Sequence, residues 1–191
     1  MNMRCLYLIC VILLTGCMPP PPPQHIDHIC HIFKQYPHWY HAAKDVEQRW
    51  HVPIAVQMAI IHQESKFNAT AQPPRQRLLG FIPWKRPTSA YGYSQALNGT
   101  WALYKHSAGG LFVSRENFTD AVDFIGWYAS IAHKRAHISR KNAYTLYLAY
   151  NEGVGGYQHK TYLHKFWLLH VAHKVKAKER LYSAQLRKCR L

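Results

Sequence analysis

The sequence predicts a mainly α-helical single domain. Three observations carry this. The chain has 191 residues, enough for one domain with a real core and too few for two generous ones. Apolar residues make up 48% and charged residues 17%, a balance that folds rather than stays disordered. Glycine is sparse, aromatic residues are plentiful, and helical spacing recurs where no alternating strand pattern does.

The helices follow in order. Tyr40 to Trp50 carries good helix formers, and Pro53 sits where a new helix begins. Ile54, Met58 and Ile61 mark one face of that helix, which runs into Gln63-Glu64-Ser65 and places Glu64 at its C-terminal end. Residues Thr70 to Pro87, with four prolines, one glycine and four basic side chains, read as a loop. A further helix starts near Ser94 or Thr100. Asp120 to Ala136 reads as a helix capped by Thr119 or Asp120, with Val122, Ile125 and Ala129 buried. Asn142 to Tyr150 is apolar and aromatic and stops at Asn151-Glu152-Gly153, before a long basic amphipathic stretch from Tyr157 to Arg187. No repeat occurs at solenoid periods.

The beginning of the chain points to export. Arg4 precedes an apolar run, Cys5 to Leu14, too short to span a bilayer but suited to a signal peptide. Leu14-Thr15-Gly16-Cys17 closes it and resembles the bacterial lipobox, whose cysteine is lipidated and becomes the mature N-terminus. The expected organisation is a signal peptide over 1–16, a lipidated Cys17 with a proline-rich linker over 17–28, and a catalytic domain over 29–191. Pro19 to Pro23 reads as a stiff polyproline II spacer holding the domain away from the anchor. Met18, in place of aspartate, favours the periplasmic face of the outer membrane by resemblance to sorted lipoproteins. Cys30 and Cys189 remain in the mature chain; in an oxidising compartment they either pair or stay as free thiols, and both readings stand.

Charge narrows the partners. Twenty-four Lys and Arg against nine Asp and Glu give a formal net charge of +15, which favours an anionic polymer or surface. Export argues against nucleic acid. Among fourteen histidines, His133 with His137, and His25, His28 and His31, have spacings a metal could use, and His62-Gln63-Glu64 superficially matches a zinc-deaminase motif. With neither C-x-x-C nor H-E-x-x-H present, scattered histidines without a metal are the better reading. The basic stretch from His170 to Arg190 reads as a solvated helix face.

Three segments carry chemistry: Glu64-Ser65-Lys66-Phe67 at a helix end, Tyr91-Gly92-Tyr93-Ser94-Gln95, and Ala149-Tyr150-Asn151-Glu152-Gly153. A glutamate that follows an apolar helix has its pKa raised by burial, as a proton donor to a glycosidic oxygen requires. No second carboxylate sits in an obvious partner position, unlike the common two-carboxylate glycosidase. In this order the segments resemble the soluble lytic murein transglycosylase family. The resemblance implies an all-α, lysozyme-like fold of the goose type, peptidoglycan glycan strands as substrate, and a single catalytic glutamate, Glu64, with no cofactor and no metal. It implies that Tyr150 places its hydroxyl near Glu64, that Gln95 binds sugar or braces the cleft, that Gly92 lets the chain pass close to the glycan, and that Asn151 and Gly153 shape the helix-end turn. Tyr93-Ser94 stands where the family carries Leu-Met, giving a partly polar cleft floor. Within this reading a hydrolytic muramidase, and a non-catalytic wall-binding scaffold of an envelope-spanning secretion apparatus, are the alternatives.

Overall fold

The computed structural model describes residues 19–190 apart from Gly80 and Trp84; the expected signal peptide over 1–16 and the lipobox-like motif ending at Cys17 lie outside the described residues. Those residues form seven α-helices: α1 (Ile29–Gln35), α2 (Pro37–Trp50), α3 (Ile54–Ser65), α4 (Asn98–Tyr104), α5 (Phe118–Ala136), α6 (Ala143–Gln158) and α7 (Phe166–Leu186). A single π turn, Lys105–Gly109, extends α4, and a short 3-10 turn, Thr161–His164, precedes α7.

Helix α3 is the centre. Every residue from Ile54 to His62 is buried, so the helix is enclosed on all sides rather than on one stripe. It packs against α2, α5, α6 and α7. Burying Val56, Met58, Ile60 and Ile61 stabilises the fold by about 1.5–3 kcal/mol each relative to leaving them exposed. The buried polar Gln57 donates from Nε2 to the carbonyls of Ala43 and Val52, at 3.0 and 2.8 Å, tying α3 to the end of α2. Pro53 is the N-cap of α3, one residue before the first helical position.

Two boundaries differ from the sequence expectation. Asn117, not Thr119 or Asp120, caps α5, its side-chain oxygen accepting from the Asp120 amide at 3.2 Å. The C-terminal helix α7 begins at Phe166 rather than Tyr157: α6 breaks at Gly153, where the sequence predicts its stop, with a left-handed φ of 75°, and a second helical segment continues to Gln158. The loop over residues 70–87 carries a minimal antiparallel ladder, β1 (Arg77–Leu78) with β2 (Ile82–Pro83).

The proline run also departs from expectation. Pro23 is buried, and the Pro21 carbonyl accepts a hydrogen bond from the Tyr36 hydroxyl at 2.7 Å. A polyproline segment has no internal hydrogen bonds, so its carbonyls are free for such docking. The segment lies on the domain, and packed structure begins at the prolines rather than at Ile29.

The two chain ends meet. Cys30 and Cys189 form a disulfide with Cα atoms 5.6 Å apart. Around it, the Gln185 side chain accepts from the Ile29 amide at 2.9 Å and donates to the Asp27 carbonyl at 3.1 Å, and the Tyr182 hydroxyl donates to the Ile26 carbonyl. Helix α7 is thereby clamped to α1 and against α3. The disulfide closes a loop of 159 residues. Replacing both cysteines by serine should lower the unfolding free energy by about 4 kcal/mol, read as a lower urea midpoint with an unchanged helical circular-dichroism spectrum in water.

Candidate active site

The site begins where α3 ends. Ser65 donates to the Ile61 carbonyl at 3.3 Å, and Lys66 and Phe67 both adopt left-handed φ, 52° and 63°. Two successive residues of this kind turn the chain back sharply. Phe67 is driven into the core beside Trp39, with ring centroids 5.9 Å apart. The turn leaves Glu64 on the last turn of an apolar helix.

The surroundings of Glu64 determine its chemistry. Glu64 is partly buried, and the desolvation of its carboxyl among the packed residues around it raises the pKa to about 7. The Tyr147 hydroxyl faces the carboxyl and, like the more distant charge of Lys66, favours the ionised form; neither overcomes burial. The Tyr147 and Tyr150 hydroxyls are held well above the ordinary phenol range, mainly by burial and then by the Glu64 charge. Both therefore remain proton donors.

The segment over residues 91–95 is braced from three directions. The Gly92 amide donates to the Ala71 carbonyl at 3.0 Å, and the Tyr93 amide donates to the Arg115 carbonyl at 3.1 Å. Gln95, itself left-handed at φ 49°, donates from Nε2 to the Ala71 and Gly92 carbonyls at 2.8 and 2.9 Å. The Tyr150 hydroxyl donates to the Ser94 carbonyl at 2.7 Å, joining this segment to α6. Tyr128, behind them, donates to the Ala149 carbonyl at 2.6 Å. A cavity of about 230 Å³ opens beside this junction, lined by Gln95, Thr100, Tyr150, Asn151 and Gly153 among others.

Several expectations need correction here. Tyr93 is 0% exposed, its ring against Trp39 and Phe118, so it forms core rather than cleft floor. Ser94 is likewise fully buried and reaches the site only through its carbonyl. Gly92, at φ 75°, is demanded by the protein itself: a Cβ there would lie 2.2 Å from the Arg115 carbonyl oxygen. Tyr150 lies near enough for the Glu64 charge to raise its hydroxyl, but that hydroxyl donates to the Ser94 carbonyl; Tyr147 is the hydroxyl that favours the ionised Glu64 carboxyl. Tyr147 was missed, although it lies one turn before Tyr150 on the same helical face, the spacing that brings side chains together. The neighbouring Glu152 is tied to other groups: Lys165 at 2.7 Å and Thr161 hold its carboxylate ionised, below the usual range. Asn151 and Gly153 also line the cavity, and Gly153 turns the chain there with a left-handed φ of 75°. His133 Nδ1 sits 3.0 Å from the Ile138 carbonyl and His137 caps α5, so both serve the end of that helix.

Compared with known protein families, residues 5–189 match the transglycosylase SLT domain. The chain belongs to that family. Membership brings its general activity, lytic transglycosylation of peptidoglycan, and its mainly α, lysozyme-like fold. No curated protein and no solved structure matches this transglycosylase-family chain.

A stability consequence follows from the raised carboxyl. Glu64 holds its proton more tightly folded than unfolded, so its contribution is fully present below the ordinary value of 4.5 and is lost as pH rises through about 7. Glu64→Gln removes that dependence. Relative to wild type, the variant should gain up to about 3 kcal/mol between pH 4 and pH 8, measured by chemical denaturation at both values.

Proposed function

We propose that this protein cleaves the β-1,4 bond between N-acetylmuramic acid and N-acetylglucosamine, leaving 1,6-anhydromuramic ends, with Glu64 as the single acid and base. One observation carries the proposal: a carboxyl pushed up to about 7 by burial is both protonated and ionisable near neutrality. Glu64 first gives its proton to the glycosidic oxygen. As the bond breaks, positive charge develops at the muramic anomeric carbon, and the substrate's own acetamido group stabilises it. The Glu64 carboxylate then takes the proton from the muramic C6 hydroxyl, whose oxygen closes the anhydro ring. Atoms balance without water, and Glu64 ends the cycle protonated.

The protein's other groups hold this chemistry in place. Tyr147 orients the Glu64 carboxyl through its hydroxyl and steadies it when ionised. Tyr150, fixed on the Ser94 carbonyl, joins two cleft walls. Gln95 is a brace, since both hydrogens of its amide go to backbone carbonyls. Asn151 offers an exposed amide to sugar hydroxyls at the cavity. The export signal and the Leu14-Thr15-Gly16-Cys17 sequence support a lipid anchor at Cys17 and a periplasmic site of action, with the outer membrane as the address.

The test is Glu64→Gln, which keeps the shape and removes the proton. Purified wild type should release muropeptides ending in anhydromuramic acid, lighter by one water than hydrolytic products. The variant should lose about a thousandfold or more in rate, within or above the range general acid–base catalysis supplies. Hydrated products from the wild type would make the enzyme a muramidase. Undiminished digestion by Glu64→Gln would remove Glu64 as the catalyst.

A further inference from the structure

On the far side of α3 from the catalytic carboxyl lies a groove the mechanism does not use. It is about 350 Å³ and runs between α3 and α7. Leu181 is the exposed apolar side chain, over a floor where Ala59 and Val175 are buried, and Lys66, Lys174 and Lys178 supply the charge. His62 is 9% exposed and has no aligned hydrogen bond at Nε2, which sits 3.4 Å from an Asp27 oxygen. Its Nδ1 lies 3.3 Å from Lys66 Nζ. Burial, then Lys66 and Lys178, hold its pKa at about 4, so the ring is neutral: Nδ1 accepts from Lys66, and Nε2 carries the hydrogen.

Charge in the groove is unbalanced. Asp27 is shared between Lys178 and His62. Among the described residues, neither Lys66 nor Lys174 forms an ion pair. Three ammonium groups crowd together, and Lys66 is correspondingly held below the ordinary lysine range, by burial first and by Lys178 next. A groove with an apolar floor, three cations and one acid is complementary to a short apolar segment bearing carboxylates.

We propose that this groove binds the carboxylate-bearing peptide stems that branch from the muramic residues of the glycan, so that the enzyme prefers peptide-bearing strands over stripped ones. The proposal rests on the catalytic reading of Glu64 and extends it to the substrate's side branch. Distance permits it. Gln63 and Lys66, which line the groove, flank Glu64 in sequence, and a helix with side chains is about 10 Å across. A stem of about four residues, at roughly 3.3–3.6 Å each, extends about 13–14 Å and reaches around the end of α3. Peptide stems alternate small apolar side chains with free carboxylates, which matches the floor and the rim.

The test compares wild type with Lys174→Glu and with the pair Lys174→Gln, Lys178→Gln, on intact strands and on strands stripped of peptide by an amidase. Both variants should lose about tenfold in kcat/KM on intact strands, mostly through KM, and stay within twofold on stripped strands; Lys174→Arg should behave as wild type. The loss is the size expected of two solvent-touched charge pairs. Equal losses on both substrates, or none on either, overturn the proposal. Free stem peptide provides an arm independent of cleavage. Its addition should shift the backbone amide NMR signals of Ala59, Lys174 and Val175, and the shifts should vanish in Lys174→Glu. No shift in the wild type overturns the groove assignment whatever the activity. If the variants lose sedimentation with anionic phospholipid vesicles while keeping stem-peptide shifts and substrate preference unchanged, the groove is a lipid-binding surface and the proposal fails. Retained cleavage by Glu64→Gln would defeat the catalytic reading alone and leave the peptide shifts standing.

Discussion

The structure depends on one constraint: a carboxylic acid held at the end of a helix that water hardly touches. Helix α3 is enclosed from Ile54 to His62, and Glu64, partly buried on its last turn, is desolvated by the same packing. Desolvation of a charge is expensive, so the group keeps its proton to near neutrality. Everything else in the site follows as support. The two left-handed residues after Ser65 end the helix abruptly, Phe67 anchors the turn in the core, and Tyr147 gives the carboxyl a partner when it ionises.

Around this group the fold uses backbone as much as side chain. Gly92, Gln95 and Tyr150 form one junction between the segment over residues 91–95, the Ala71 carbonyl and α6. Behind it, the Tyr128 hydrogen bond to the Ala149 carbonyl is buried, where such bonds are stronger than in water. The break at Gly153 lets α6 pass along the cavity and still continue to Gln158, where the chain turns toward α7. Under the proposed mechanism stability and catalysis pull in opposite directions at Glu64, because the burial that suits proton transfer destabilises the ionised form. The disulfide and the α7 clamp add stability through contacts that do not involve the Glu64 carboxyl.

Much of this was legible in the residues, and the failures share a cause. The position of Glu64 followed from the apolar spacing of Ile54, Met58 and Ile61, and the left-handed Gly153 from the residue type alone. Cys30 and Cys189, the last two cysteines of the sequence, meet across 159 residues, yet only their number was readable, not their pairing. Tyr93 and Ser94 were misplaced because a motif fixes order along the chain and not which way a side chain points. Gly92 fits the motif for a reason visible only in three dimensions, the approach of the Arg115 carbonyl. Tyr147 was hidden among thirteen tyrosines, since helical spacing shows a shared face without showing what that face meets. The docking of the proline run depends on a single distant hydroxyl, Tyr36, which no local pattern announces.

The central claim concerns one proton. Carbon-13 labelling of glutamate side chains, with the Glu64 carboxyl assigned by its absence in Glu64→Gln, permits a direct NMR titration in the folded chain. A midpoint near 7 is the predicted result. A midpoint at the ordinary 4.5 would mean that water reaches the carboxyl freely, and the account of how this glutamate acts would be contradicted.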